Sequence, residues 1–285
     1  MRSMASEWPL VVFTTISPLC AGVWIVAGLL ALVDAFPGAA DLTVGYAGAF
    51  LCVLLIAALA CSTLHLGKPL KALRAFMRLG NSPVSNEVFV GSLFAVGSCL
   101  YVLVAQGLIE QGDIWKIPLA FVSGFAGLFV LFQCLAYRMR TVRTWASPSF
   151  SVEFAAIALL GGIAVEGVML NFAPAASLDV RVALVVSEAI CCVAAVCVVH
   201  AQGVVVAKEV VTRHDHRQLL TQWNALGITR IVLLATGVAL WGYGMLAEPG
   251  VLLSTVAGTV LVLLGIVVGR CSFYRFYLNV GLPQG

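Results

Sequence analysis

Long apolar runs, broken by short polar joins rich in proline and glycine, set the pattern of this chain. A membrane-spanning helix needs about 20 mostly apolar residues. Eight stretches qualify, at roughly 10–33, 43–64, 87–108, 117–137, 152–172, 181–207, 228–246 and 251–270. Pro37-Gly38, Asn81-Ser82-Pro83, Ser147-Pro148, Pro174 and Pro249-Gly250 punctuate the joins. The pattern predicts an all-α integral membrane protein, a bundle of eight transmembrane helices forming one domain over 1–285. The first run has no clear small-residue cleavage site and reads as a retained helix. The polar join at 69–79 has a periodicity of its own. Leu70, Leu73 and Met77 repeat at helical spacing with Ala72 and Phe76, while Lys71, Arg74 and Arg78 fall at i, i+3 and i+7. This predicts a short interfacial helix between the second and third spans.

Composition agrees with the pattern. The chain is 61% hydrophobic and 10% charged, where soluble domains carry about 25% charged residues. So few charges cannot cover a water-facing surface, and lipid is the solvent for most of the chain. Eight spans put both termini on one face, side A. Fourteen of the 16 Lys and Arg residues fall on side A, and only Lys116 and Arg181 on side B. The positive-inside rule then places side A in the cytoplasm. A basic face that docks an acidic partner gives the same asymmetry. The net charge of +3 does not point to nucleic acid, because the cations read as interhelical. The nine cysteines lie almost entirely in apolar runs with no CxxC pair, so neither an iron–sulfur cluster, a zinc site nor a disulfide framework is encoded.

A few polar residues need a reason. His65 closes the second span at its side A end, and Ser85-Asn86-Glu87 opens the third on the same face. Each has a local reading, His65 as a helix C-terminal cap and Glu87 as the acid in a capped first turn. Each also has a chemical one: an acid and a base at the apolar boundary can remove two protons from a hydroquinone. Glu166 and Glu188 sit about 10 Å in from side B on consecutive spans. They are placed to share a proton or a water cavity as a proton path, or to form hydrogen-bonded packing contacts. Glu153, at the side A end of span five, is less demanding. His200, in the side A half of span six, leaves a bis-histidine b-haem with His65 open. A secondary transporter using Glu166 and Glu188 also stays open; it predicts broken helices in matching halves, and no convincing internal repeat is visible.

Six segments, in order along almost the whole sequence, have a familiar form: "EWPLVVFT" at 7–14, "LHLGKPLKALRAF" at 64–76, "SNEVFVGSLF" at 85–94, "RTW" at 143–145, "RIVLL" at 230–234 and "GRCSFY" at 269–274. On these the protein resembles the membrane anchor subunit of dimethyl sulfoxide reductase, within the wider group of polysulfide-reductase and nitrite-reductase type quinone-interacting anchors. The resemblance implies a multi-pass subunit of the bacterial cytoplasmic (inner) membrane that oxidises menaquinol in anaerobic respiration. It implies no haem, iron–sulfur cluster or molybdenum in this subunit. Electrons would pass to an iron–sulfur subunit and on to a molybdopterin catalytic subunit. The resemblance associates His65 and Glu87 with the menaquinol site. On that reading Arg74 and Asn86 join them in holding the head group. The family precedent puts this face outside the cytoplasm, opposite to the charge rule.

Overall fold

All eight predicted spans are α-helical in the computed structural model, which describes residues 4–35, 45–64, 78–109, 112–139, 141–172, 176–211, 213–247 and 251–276. In order along the sequence they are α1 (Met4–Leu32), α2 (Tyr46–Leu64), α3 (Pro83–Ile109), α4 (Lys116–Ala136), α5 (Pro148–Leu170), α6 (Leu178–Val210), α7 (His216–Leu246) and α8 (Leu252–Arg275). Each is long and apolar enough to cross a membrane. His65, Arg74 and all but the last two residues of the expected interfacial helix lie outside the described residues.

Two boundaries differ from the sequence pattern in ways that matter. The helix α3 begins at Pro83, four residues before the apolar run. Proline at a first helical position costs nothing, because its missing N–H would be unpaired there. The helix α7 begins at His216, twelve residues before its apolar run. At 1.5 Å per residue, the 33 residues of α6 and 31 of α7 span about 50 and 46 Å. A hydrocarbon core is about 30 Å thick. The amphipathic start of α7 therefore extends the helix past its apolar run on side A.

The helices pack as two consecutive four-helix groups. In the first, α1 contacts α2 and α4, and α3 bridges α2 and α4; in the second, α5 contacts α6 and α8, and α7 bridges α6 and α8. The groups join through α1 against α5, with α4–α5 and α1–α8 contacts beside it. The two halves thus share a topology with no repeat visible in the sequence. In α1 and α5, 67% and 61% of the span is buried, against 28% in α2, α6 and α7. The α1–α5 pair is the spine, and the outer helices turn Leu103, Phe121 and Leu253 to lipid.

Close backbone approach makes the spine. A Cβ at Gly22 would lie 1.7 Å from the Ala158 carbonyl oxygen, and one at Gly162 would lie 2.4 Å from the Gly22 carbonyl carbon. Small residues at a crossing let two helices in lipid gain dispersion contact, since lipid offers no hydrophobic drive between them. Hydroxyls lock α1 to α4: Ser123 Oγ donates to the Trp24 carbonyl at 2.6 Å, and Gln133 Nε2 donates to Ser17 Oγ at 3.1 Å. All nine cysteines are free thiols.

Candidate functional site

A cavity of about 440 Å³ opens at side A between the ends of α1, α2, α3 and α4 and the α4–α5 connection. That volume is within the range of small-molecule sites. Leu10, Phe13 and Phe129 give it apolar walls, and Ser62, Thr63, Glu87, Ser92 and Tyr137 give it polar points. Three of these are occupied locally. Ser62 donates to the Leu59 carbonyl at 2.6 Å, Thr63 to Ala60 at 2.7 Å and Ser92 to Val88 at 2.8 Å. Glu87 and Tyr137 are left as the chemically distinctive groups facing the space.

The capping explanation of Glu87 does not survive. Ser82 precedes the helix, and its Oγ accepts the Ser85 N–H at 3.4 Å. Pro83 is the first helical residue, so Glu87 is the fifth, and the first turn holds no acid. Glu87 is 5% exposed, and its Oε1 is buried with no hydrogen-bond partner. The Gln133 side chain stands beside it as a hydrogen-bonding neighbour. Burying a carboxyl without full hydrogen bonding is costly, so packing gives no reason for an acid here. Asn86 has a structural role instead. Its Oδ1 accepts the Gly80 N–H at 2.8 Å, and Gly80 has φ +79°, which glycine adopts without strain. Asn86 holds the turn that leads into α3 and does not line the cavity. His65 lies outside the described residues, two positions after Thr63, which lines the cavity. Arg74 lies outside them too.

The inner wall continues into the second helix group. The Tyr137 hydroxyl is 3.5 Å from that of Tyr274, which is 3.2 Å from Thr14 Oγ1. The Tyr137 ring packs on Phe154 at 4.8 Å and on Phe273 at 5.9 Å between centroids. Trp145 stacks on Phe273 at 4.5 Å and donates its indole N–H to the Phe273 carbonyl at 3.3 Å. Thr144 donates to the Phe276 carbonyl at 3.0 Å. The α4–α5 connection is thereby fastened to the end of α8.

Behind these rings lies a charge cluster that the sequence pattern did not reveal. Glu153 receives Arg230 Nη1 at 2.9 Å, Arg270 Nη2 at 2.6 Å and Gln202 Nε2 at 2.8 Å. Glu153, Arg230, Arg270 and Gln202 are all 4% exposed or less. A Cβ at Gly269 would lie 2.6 Å from Arg230 Cζ, so this glycine is what lets the guanidinium in. The apolar runs put Arg230 and Arg270 at span edges and grouped them with loop cations. The early start of α7 instead puts Arg230 fourteen residues inside its helix. Both therefore leave the set of loop cations that the sequence pattern placed on side A.

The other candidates are placed as follows. Glu166 and Glu188 are both fully buried, and none of their four carboxyl oxygens has a hydrogen-bond partner, so they do not bond to each other. Both α5 and α6 run unbroken through them, unlike the discontinuous helices of a transporter site. His200 is exposed on α6, in the second helix group, while His65 follows α2 in the first. An outward-facing imidazole is badly placed for an internal haem. Among the described residues no group of three or more His, Cys, Asp and Glu side chains is placed to hold a metal ion.

A family model described as DMSO reductase anchor subunit (DmsC) matches residues 1–276. The protein belongs to this family. The YnfH chain of anaerobic dimethyl sulfoxide reductase from Escherichia coli (strain K12) is 30% identical over 279 residues, covering 97% of this protein and 96% of that one. The C chain of the anaerobic dimethyl sulfoxide reductase of the same strain is 31% identical over 306 residues, covering 99% of each. The corresponding C chain from Haemophilus influenzae is 28% identical over 173 residues, covering 60% of this protein and 61% of that one. This DmsC-family protein is thus a multi-pass membrane anchor subunit of the dimethyl sulfoxide reductase type. An anchor implies catalytic and electron-transfer subunits to be anchored. The family membership closes the transporter alternative.

Proposed function

We propose that the side A cavity is a menaquinol oxidation site and that this subunit passes the electrons to an iron–sulfur partner. The observation that carries this reading is Glu87: a buried carboxyl with a free oxygen, at the edge of the membrane, in an apolar cavity of about 440 Å³. The site supplies proton acceptors and a fitted space, and the chemistry needs little more. A hydroquinone gives up two protons and two electrons to become a quinone. Glu87 takes one proton and His65 the other, each serving one of the two ring oxygens. Thr63 in the cavity wall, two positions before His65, supports that pairing. Phe13 and Phe129 flank the ring system, Arg74 positions the head group, and Asn86 holds the turn that aims Glu87. The electrons leave on side A to the nearest cluster of the iron–sulfur subunit, which serves a molybdopterin catalytic subunit. The surface cations of side A serve that docking. The complex then belongs to the anaerobic respiratory chain of a bacterial cytoplasmic membrane.

Replacing His65 tests the assignment. Membranes carrying the assembled complex with His65→Ala lose menaquinol-driven acceptor reduction by about 10²-fold or more, the usual worth of a positioned acid–base group. Menaquinol oxidation at the normal rate removes His65 from the site.

A further inference from the structure

The cluster of Glu153, Arg230 and Arg270 holds two cations and one anion with no water-exposed side chain among them. One arginine would neutralise Glu153; the second is surplus. A buried charge without a counter-charge is strongly destabilising, so the surplus needs a reason. Arg270 in particular keeps Nε and Nη1 without a hydrogen-bond partner. Its guanidinium lies 4.4 Å from the ring centroids of both Phe154 and Phe273, which are among the rings that back Tyr137. Arg270 is therefore within about 9 Å of the Tyr137 ring, the two steps through Phe154 being 4.4 and 4.8 Å.

On the other side of the same tyrosines stands Glu87. Tyr137, Tyr274 and Cys134 each feel both the Glu87 carboxyl and the Arg270 guanidinium. The charged and titratable groups near the cavity fall helix by helix. α1 gives Glu7, three residues before Leu10 of the wall, α3 gives Glu87, α4 with the residues after it gives Cys134, Tyr137 and the exposed Arg138, and α8 gives Arg270 and Tyr274. Glu153 on α5 and Arg230 on α7 complete the cluster behind them. Among the described residues that line the cavity Glu87 is the acid, and the cluster behind carries the surplus positive charge.

We infer that the Glu153–Arg230–Arg270 cluster is an electrostatic positioning element of the cavity, whose surplus positive charge favours the negative charge that Glu87 and the deprotonating head group carry during oxidation. This rests on the menaquinol reading above. None of the three residues touches the substrate; they act through the aromatic layer. The rings exclude water from the gap, so the field is screened less than it would be in solvent. The arrangement also explains why two arginines and not one are buried against Glu153.

The test is the pH profile of menaquinol-driven turnover in the assembled membrane complex, against turnover driven by an artificial donor that feeds the catalytic subunit directly. A proton acceptor must be deprotonated to work, so the rate falls on the acid side. Arg270→Gln removes the surplus charge and moves the acid limb up by about one pH unit, or about tenfold in rate below it. That is the general size of a unit charge acting across about 12 Å at an effective dielectric of about 20. Glu153→Gln raises the surplus and moves the limb down. Gln202→Glu leaves Glu153, Arg230 and Arg270 in the sequence, exchanges the Gln202 hydrogen bond to Glu153 for a second carboxylate held by the two arginines, and moves the limb up as Arg270→Gln does. Arg270→Lys retains the wild-type profile. A purely structural cluster gives reduced assembly with superimposable profiles, and an unshifted profile in any assembled charge variant overturns the inference. The cavity reading fails separately: it falls if Glu87→Gln and His65→Ala keep normal menaquinol turnover.

Discussion

Glu87→Gln isolates the acid–base chemistry of the cavity with little else changed. The amide has the size and shape of the carboxyl, and the site is ready for it. Gln133 Oε1 is buried beside Glu87 without a partner, so the new amide N–H has an acceptor. Stability then changes by no more than about 1 kcal/mol, the net worth of a typical hydrogen bond. Function does not escape so lightly. A positioned general base contributes about 10²–10⁴-fold, which is about 3–5 kcal/mol of barrier at about 1.4 kcal/mol per decade. The assay is acceptor reduction in membranes driven by a menaquinol analogue, normalised to reduction driven by an artificial donor. The second rate reports that the complex is assembled and its metal centres intact. The expected result is a quinol-driven rate down by about two orders of magnitude or more, with the artificial-donor rate unchanged. A quinol-driven rate within about twofold of wild type refutes the reasoning. A parallel fall in both rates refutes it too, since Glu87 would then be a structural residue.

Other perturbations separate packing from chemistry. Gly162→Ala puts a methyl group 2.4 Å from the Gly22 carbonyl carbon and costs at least about 1–3 kcal/mol by overpacking, seen as a lower thermal midpoint of the solubilised protein. Gly127→Ala meets nothing within 4 Å and is neutral or gains up to about 1 kcal/mol from helix propensity; equal losses in the two variants would sink the spine argument. Phe129→Ala removes a fully buried ring packed on Phe13 at 6.5 Å and Phe94 at 6.0 Å, costs about 3–5 kcal/mol and raises the KM for menaquinol by enlarging the cavity. The Glu166→Gln, Glu188→Gln pair removes two buried carboxyls that have no hydrogen-bond partners and leaves menaquinol-driven turnover within about twofold. If these acids form a proton path to side B, the same double variant changes the protons released per turnover, and an unchanged stoichiometry removes that path.

Span number, span order and the side on which Glu87 opens its span were legible because hydrophobic length is a local property of sequence. A helix in lipid satisfies its own backbone hydrogen bonds, so each long apolar run is a helix whatever its neighbours do. The starts of α3 and α7 were less legible. Both begin in polar sequence, and apolar length says nothing about where a helix ends beyond the hydrocarbon. That error hid the role of Arg230, which looked like an edge cation and is an interior one. It also made Glu87 look like a first-turn acid when it is the fifth helical residue. The quoted segments "EWPLVVFT", "SNE", "RTW", "RIVLL" and "GRCSFY" stood far apart in the sequence. Folded, they supply Phe13 and Thr14, Glu87, Thr144 and Trp145, Arg230, and Gly269 with Arg270, Phe273 and Tyr274 to one end of the molecule.

The sequence by itself determined the solvent, the eight helices, the face on which the polar residues gather and, through resemblance, the family. Only the tertiary structure decided which of those polar residues meet. Glu153 on α5, Arg230 on α7 and Arg270 on α8 become one cluster because the second helix group places their helices side by side. Glu87 on α3 gains Gln133 and Tyr137 from the α4 end for the same reason. Contacts between helices depend on crossing geometry, set here by small residues such as Gly22 and Gly162. A one-dimensional hydrophobic pattern carries no record of that geometry.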